Sequence, residues 1–408
     1  MNKKTFLAVI ITALVFATTA FAANSVTIVV HNNDRIQRQE LVEVDLKTVI
    51  DKLQLADDDA FIVKNGFGQQ VAYQITHDGK LLIDAAVRPC GEARYTVCKG
   101  IPESMKAYVF GKFYPTRKDD IAWENDRSAY RVYGPTLQRT GERSFGVDVF
   151  TKNTPELVIE DRYTLDYDGN ILEHAYRVKG QHSKRDETDL RTSFHLDHGN
   201  GCDCYSVGPT LGCGAPALMY NGKLVMPYCF KDYDILDNGP LRFTVALTYN
   251  KNTVGKDTSV VEHRIISLDK GSSFNKVTVW YEGLSKPCQF ASGVVIHSAD
   301  KESIVYGKNY VHYADPTDTP DKHNFQIYVA ALFPNGDVKT QFLPFQEQIN
   351  GIEGHALGVL KSISPDEKYT YYFGSAWSKH DVRTQQEWQL RIDEFMSAVA
   401  LPLKVTVE

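Results

Sequence analysis

Tryptophan, methionine and cysteine are scarce in this chain of 408 residues, which has 4, 5 and 7 of them. Past the first residues, no stretch is apolar and long enough to span a bilayer, so we predict no membrane span. Basic residues are not in excess, since the formal net charge is -6, and this argues against a nucleic-acid partner. The sequence also lacks alternating strand and helix patterns, which disfavours a parallel α/β sheet.

The first residues have the pattern of a secretory signal peptide. Lys3 and Lys4 precede an apolar run over residues 6–16, and a small-residue cleavage site ends at Ala22. We therefore predict a signal peptide over residues 1–22 and a mature protein that is periplasmic or secreted.

The seven cysteines of an exported chain leave at least one thiol unpaired if all bridges are internal. Cys90 and Cys98 flank a short connection and are predicted to close a hairpin. A second group has a spacing too irregular for a zinc site, so we predict no metal and no cofactor. Disulfides and buried thiols both stay open for this second group, Cys202, Cys204, Cys213 and Cys229.

Strand patterns dominate the chain and predict a mainly β fold. The predicted strands, rich in β-branched and aromatic residues, are 26–30, 157–167, 171–178, 241–249, 259–268, 276–281, 325–333 and 369–373. Asp168 and Gly169 predict a hairpin turn between two of them. Helical spacing of apolar residues is confined to 46–53 and 388–399. Thr384 and Glu387 predict a capping box at the start of the second helix.

A domain boundary is predicted near residue 100. The first part, residues 23–100, is predicted to be a small β-sandwich-like module, and residues 101–408 a large antiparallel β-sandwich domain. Two polar segments, 179–191 and 315–323, are predicted to be surface loops.

Residues 123–135 mix aromatic rings, carboxylates and guanidiniums, as sugar-binding sites do. The second half of this segment alternates, which places Arg131 and Tyr133 on one face of a predicted strand. The other expected sugar contacts are ring stacking by Trp123 and hydroxyl binding by Glu124 and Asp126.

Residues 194–209 form a second candidate segment, in which glycines predict a loop. His195, His198 and Tyr205 would supply proton transfer at neutral pH. The alternative is that the histidines only hydrogen-bond backbone groups. Metal binding is the weaker prediction, because the histidine spacing is not that of helical zinc hydrolases.

A third candidate segment, 371–381, places Trp377 and Lys379 just past a strand end, where loops carry sites. Trp377 either contacts a ligand or packs against the following helix, and Lys379 either binds a ligand or is solvated. His263 is predicted to lie in the core or on a sheet face, whereas His297, at another strand end, fits either kind of role.

Taken in order, these three segments resemble a family named as a domain of unknown function. Its members occur in bacterial polysaccharide-utilisation systems, and it includes an ulvan-oligosaccharide dehydratase. This sequence departs from the family pattern at Ser128 and Ala129 and at Asn200 and Cys202, which leaves the substrate open. The resemblance implies a mutarotase-like β-supersandwich and an oligosaccharide substrate that contains uronic acid.

The resemblance also implies dehydration of a terminal uronic acid, in which C5 loses a proton and C4 loses its hydroxyl to give a 4,5-unsaturated sugar. By residue chemistry, Arg131 or Lys379 would stabilise the enolate. His195 and His198 would be base and acid, with Tyr205 as the substitute for either. Three alternatives stay open: a lyase that expels a sugar, a glycoside hydrolase with two opposed carboxylates, and a non-catalytic glycan-binding protein.

Overall fold

The computed structural model of the protein describes residues 25–298, 300–317, 325–347, 349 and 351–408. The predicted signal peptide, 1–22, and most of the loop predicted at 315–323 lie outside the described residues. The structure is 45% strand and 17% helix, which confirms the prediction of a mainly β fold with few helices. No helix in the described ranges combines the length and apolar character needed to cross a bilayer.

The elements are numbered in chain order. The described helices are α1 Leu46–Leu53, α2 Pro135–Arg139, α3 Ile159–Val178, α4 His182–Thr192 and α5 Gln385–Ala400. The first strands are β1 Ser25–His31, β2 Arg38–Asp45, β3 Phe61–Lys64, β4 Tyr73–Ile75, β5 Lys80–Val87, β6 Glu92–Lys99, β7 Phe110–Tyr114, β8 Asp120–Glu124, β9 Ala129–Val132 and β10 Asp148–Phe150. Those that follow are β11 Cys213–Tyr220, β12 Lys223–Val225, β13 Phe230–Asn238, β14 Arg242–Tyr249, β15 Asn252–Val254, β16 Asp257–Asp269, β17 Phe274–Glu282 and β18 Cys288–Ile296. The last are β19 Ile304–Tyr306, β20 Tyr310–Asp315, β21 Ile327–Leu332, β22 Val338–Pro344, β23 Gly354–Ile363, β24 Tyr369–Trp377 and β25 Lys404–Val407.

The N-terminal module has two antiparallel sheets, ordered β25-β1-β6-β3 and β2-β5-β4. Val26, Ile28 and Val30 alternate along β1 and are buried in the module's own core, as the period of a strand requires. The last strand of the chain, β25, pairs with β1. The module therefore includes residues from both ends of the chain, which a boundary at residue 100 alone does not capture.

The large domain is a sandwich of two antiparallel sheets. One has the order β12-β11-β18-β23-β22, and the other has nine strands, β13-β14-β16-β17-β24-β21-β20-β19 with β15 beside β16. The two sheets contact each other where the hydroxyl of Tyr371 on β24 donates to the Gly214 carbonyl on β11 at 2.7 Å. A Cβ at Gly214 would lie 2.2 Å from Cβ of Phe373, so glycine permits this close approach. A smaller sheet, β10-β9-β8-β7, lies against the sandwich, and the indole of Trp123 on β8 donates to Asn275 on β17.

The region predicted as two strands and a hairpin is instead one long helix. Residues 157–167 and 171–178 fall largely in α3, and the segment predicted as a loop at 179–191 contains most of α4. Gly169 does not make a turn, because it lies where α3 crosses α4. A Cβ there would lie 2.0 Å from the Thr192 hydroxyl oxygen, so the glycine allows close helix packing.

The two helices that the sequence predicts are confirmed as α1 and α5. The Thr384 side chain accepts from the Glu387 amide at 3.1 Å, as predicted. The Glu387 carboxylate bonds to the Arg383 amide rather than to that of Thr384, so only half of the capping box forms.

The predicted disulfide between Cys90 and Cys98 is wrong, since neither of these two cysteines is bridged. Cys98 lies inside the sheet between β1 and β3, opposite Ser25 and Ile62. The Cys90 amide instead bonds to the Asp34 carbonyl at 2.8 Å, in the turn at the other end of β6.

Candidate active site at one end of the sandwich

Three strands of the large sheet end side by side and bring polar side chains together. Asp315, the last residue of β20, pairs with Ile327, which in turn pairs with Trp377, the last residue of β24. Because neighbouring strands lie about 4.8 Å apart, the backbones of Asp315 and Trp377 are roughly 10 Å apart. β18 of the facing sheet ends close by, since His297 just beyond it reaches Asp315.

His297 and Asp315 form a tight pair at this edge. The Nδ1 atom of His297 lies 2.6 Å from Oδ2 of Asp315, and the other carboxylate oxygen accepts the Thr317 amide at 2.8 Å. Because the carboxylate engages Nδ1, it fixes the ring orientation. This is the arrangement of an oriented general base.

Tyr205 lies beside this pair. Its ring meets that of His297 edge to face, with centroids 5.8 Å apart. The phenol is buried, and its hydroxyl has no hydrogen-bond partner among the described residues. Burial raises the pKa of Tyr205 well above its ordinary value, so the phenol keeps its proton at neutral pH.

Arg131 lies behind the site in a buried charge network. Its Nε donates to Asp148 at 2.7 Å and one terminal nitrogen donates to Asp203 at 2.8 Å. Its other terminal nitrogen lies 3.7 Å from Asp120. Tyr133 donates to the same Asp148 oxygen at 2.6 Å. Arg131 and Tyr133 thus share a face, as predicted, but that face is turned inward to carboxylates, so neither is placed to hold a substrate.

The network holds more acidic than basic charge. Burial raises the pKa of both Asp120 and Asp148 to about 6, against the attraction of the Arg131 guanidinium. The folded protein therefore binds protons more tightly at these carboxyls than the unfolded chain does, and their contribution to stability falls as pH rises through about 6.

We expect Asp120→Asn to stabilise the protein at pH 8. A shift from the ordinary 3.8 to about 6 corresponds to a penalty of up to about 3 kcal/mol for the ionised form, so the gain in free energy of unfolding should be about 1–3 kcal/mol. This gain in stability should vanish below about pH 4, because Asp120 is then protonated in both the folded and the unfolded protein. Denaturant unfolding from pH 4 to 8 measures it, with the exposed Asp232→Asn as control. Destabilisation at pH 8 would contradict the argument.

The two histidines of the 194–209 loop do not converge on one point. Nδ1 of His195 lies 3.1 Å from the Asp203 carbonyl, and its side chain is 57% exposed. Nε2 of His198 lies 2.9 Å from the Ser193 carbonyl. Each ring therefore bonds to a different backbone group, which is the alternative that the sequence left open for them.

Lys379 connects this loop to the end of β24. It donates to Asp197, whose other carboxylate oxygen accepts the amides of Gly199 and Gly201 at 2.9 Å. Burial alone would raise the pKa of Asp197, but these bonds bring it below its ordinary value. The Lys379 ammonium lies 5.4 Å from the ring of Phe325 and keeps donors beyond the one that Asp197 takes.

The remaining predicted sugar contacts hold the fold together. Trp123 is fully buried and donates to Asn275 at 2.8 Å. Glu124 pairs with Lys152 at 2.6 Å and accepts the amides of Val158 and Ile159, where α3 begins, at 2.8 Å. Asp126 accepts the Gly271 amide at 2.7 Å, and Trp377 is buried. These four side chains are buried or bonded to other parts of the protein, so the structure does not place them at a binding surface.

Three residues of the site carried little signal in the sequence. The sequence leaves His297 open between two roles and predicts Asp315 in a loop. It predicts Phe325 in a strand, yet Phe325 precedes β21, is 44% exposed and has φ +59°. A left-handed backbone is uncommon for a bulky residue. The position of all three at strand ends was the available signal.

In the part of the chain that the structure describes, no group of three or more His, Cys, Asp or Glu side chains is arranged to hold a metal ion.

The fold and the site define a class: a two-sheet β-sandwich protein with an oriented His–Asp pair and a buried phenol at one end. The chain belongs to the family described as a domain of unknown function, DUF4861, whose sequence model matches residues 30–405. The uncharacterized protein P7 of Formosa agariphila is 24% identical over 341 residues, which are 80% of this chain and 78% of that protein.

The solved structures that this chain is similar to match it at low sequence identity. An alpha-mannosidase from Enterococcus faecalis V583 has 8% identity and a TM-score of 0.44, covering 96% of this chain and 47% of its own. A glycosyl hydrolase family 38 protein from Enterococcus faecalis has 7% identity and a TM-score of 0.47, and the match covers 95% of this chain and 48% of that protein. The periplasmic domain of Thermotoga maritima YidC has 8% identity and a TM-score of 0.32, and the match covers 69% of this chain and 92% of that domain. This chain thus spans about half the length of the first two proteins.

Proposed function

We propose that this protein is an exported carbohydrate-active enzyme that dehydrates the terminal uronic acid of an oligosaccharide by β-elimination. The observation that carries the proposal is the His297–Asp315 pair with the Tyr205 phenol beside it. The resemblance of the three sequence segments to a dehydratase-containing family supplies the reaction class.

The reaction needs a base at C5 and an acid at C4. His297 accepts the C5 proton, and Asp315 stabilises the imidazolium that forms. Tyr205 donates its proton to the hydroxyl that leaves C4, so that the C5–H and C4–O bonds break, a C4=C5 double bond forms and one water is released. Proton return from His297 to Tyr205, whose rings lie 5.8 Å apart, resets the pair.

The reaction also needs a cation near the substrate carboxylate, because negative charge builds there as the C5 proton leaves. Lys379 fits this role better than Arg131. Its side chain is one-third exposed at the same strand-end edge, whereas Arg131 is buried between carboxylates. His195, with its exposed ring, is assigned to sugar contact rather than to proton transfer.

A glycoside hydrolase would need two carboxyl groups facing each other across the bond to be cleaved. The carboxylates near this edge are engaged by cationic or imidazole partners, Asp315 by His297 and Asp197 by Lys379. This pattern favours elimination over hydrolysis.

The proposal is tested by incubating the protein with a panel of uronic-acid oligosaccharides. We expect ultraviolet absorbance of an unsaturated uronate to appear, and mass spectrometry to find loss of one water without chain cleavage. Two fragments would instead indicate a lyase. Binding without any product over the whole panel would overturn the enzymatic proposal and favour a glycan-binding protein.

Phe325 is proposed as the stacking surface for the sugar, since its ring is exposed beside Lys379. We expect Phe325→Ala to raise KM about 10-fold with little change in kcat, because an aromatic stacking contact contributes about 1–1.5 kcal/mol. Initial rates at varied oligosaccharide concentration measure this. Phe67→Ala is the matched control, because Phe67 is 90% exposed in the N-terminal module. An unchanged KM for Phe325→Ala would remove Phe325 from the site.

A further inference from the structure

Helix α3 exposes an unusual number of apolar side chains. It packs on the rest of the protein through the buried residues Ile159, Arg162, Tyr163 and Gly169. Its other side is open, and the large hydrophobic residues exposed there are Leu165 at 43%, Tyr167 at 46%, Ile171 at 54%, Leu172 at 42% and Val178 at 74%. Single exposed apolar residues are ordinary, but a group on one helix marks an interaction surface.

The open side of α3 has the spacing of a helix-pairing seam. Its members lie four and three residues apart in turn, and they are Thr164, Asp168, Ile171, Ala175 and Val178. Leu165 and Leu172, seven residues apart, run beside this seam. Alternating steps of four and three keep side chains on one side of a helix, as in two-helix coiled coils. The second half of this seam is apolar, with Ile171, Ala175 and Val178, and the first half is polar, with Thr164 and Asp168.

The charges of the seam differ between its two ends. Asp161 and Asp168 are exposed in the first half of α3, and Lys179 is exposed just beyond its end. A helix with acidic residues at its start and a basic residue at its end is complementary to a second copy of itself running in the opposite direction. A parallel copy would instead oppose like charges, which is unfavourable.

We propose that two copies of this chain associate through α3, antiparallel about a two-fold axis near Leu172. With this register, Ile171 packs on the partner's Leu172 and Leu165 on the partner's Val178. The partner's Lys179 then lies opposite Thr164, between Asp161 and Asp168. A two-fold interface is formed by the same patch on both copies, and α3 supplies such a patch, about 30 Å long for 20 residues.

The dimer is expected to be concentration-dependent, because one helix from each copy makes an interface at the small end of the stable range. Sedimentation of the full mature chain between about 1 and 100 μM should show a monomer–dimer equilibrium. Ile171→Asp should weaken the dimer at least 10-fold. Leu190→Asp is the matched control, because Leu190 is 66% exposed on α4 but lies off the seam, and it should leave the equilibrium unchanged.

A charge exchange tests the direction of the helices. Lys179→Asp alone should weaken the dimer several-fold, and Lys179→Asp combined with Asp161→Lys and Asp168→Lys should restore it. Thermal unfolding confirms that each variant folds. A wild-type chain that stays monomeric to about 100 μM, an Ile171→Asp variant that still dimerises, or a triple variant without recovery would each overturn the proposal.

Discussion

Replacing His297 with asparagine is expected to lower kcat for dehydration by about 10²–10⁴-fold, the usual contribution of a general base. KM should change little, because the imidazole acts on the proton at C5 and is not the main sugar contact. Asparagine keeps a polar group near Asp315, which limits the structural effect. The rate of appearance of ultraviolet absorbance, at saturating oligosaccharide, measures the loss.

Two further histidine variants separate this assignment from others. His263→Asn is the matched control, since His263 lies on the large sheet beside Trp280 and Glu282, and it should keep full activity. His195→Asn should raise KM more than it lowers kcat. If His195→Asn abolishes turnover while His297→Asn keeps it, the proton chemistry belongs to the 194–209 loop and the assignment to the strand ends is wrong.

The fold could be predicted where local pattern and tertiary environment agree. Strand β16 alternates buried and half-exposed residues along its length, so its period of two is visible in the sequence. For α3 the sequence predicts strands instead of a helix, because β-branched and aromatic residues hide the helical period, and because Asp168-Gly169 has the composition of a hairpin turn. What makes it a helix is contact with α4, where Gly169 meets Thr192. That contact is not visible in a local window.

The candidate site was predicted in part, for a related reason. The sequence predicts site residues in the 194–209 loop and past the end of β24, among them Tyr205 and Lys379. It predicts sugar contacts by Trp123 and Glu124, because their segment mixes aromatic, acidic and basic side chains. Their partners, Asn275 and Lys152, are far enough along the chain that only the fold brings them together. The same is true of His297 and Asp315.

Replacing Arg131 with methionine is expected to lower the free energy of unfolding by about 3–5 kcal/mol, because breaking a buried ion pair leaves an uncompensated charge. Arg131 is 4% exposed and bonds to both Asp148 and Asp203, so methionine fills the volume but leaves two buried carboxylates without a cation. Denaturant unfolding at pH 8 measures the loss. Arg139→Met is the matched control, since Arg139 is 68% exposed, and it should change stability by less than about 0.5 kcal/mol.

The pH dependence of this loss identifies its cause. Without the guanidinium, the pKa of Asp148, which burial already raises to about 6, rises further in the folded state, so the folded protein takes up protons before the unfolded chain does as the pH falls. The difference in free energy of unfolding between wild type and Arg131→Met should therefore become smaller from pH 8 to about pH 5. Adding Asp148→Asn and Asp203→Asn to Arg131→Met should recover more than half of the lost stability at pH 8. A gap that is the same at both pH values, with no recovery in the triple variant, would mean that Arg131 stabilises the sheet by packing on Phe150 and Tyr133 and not by neutralising carboxylates.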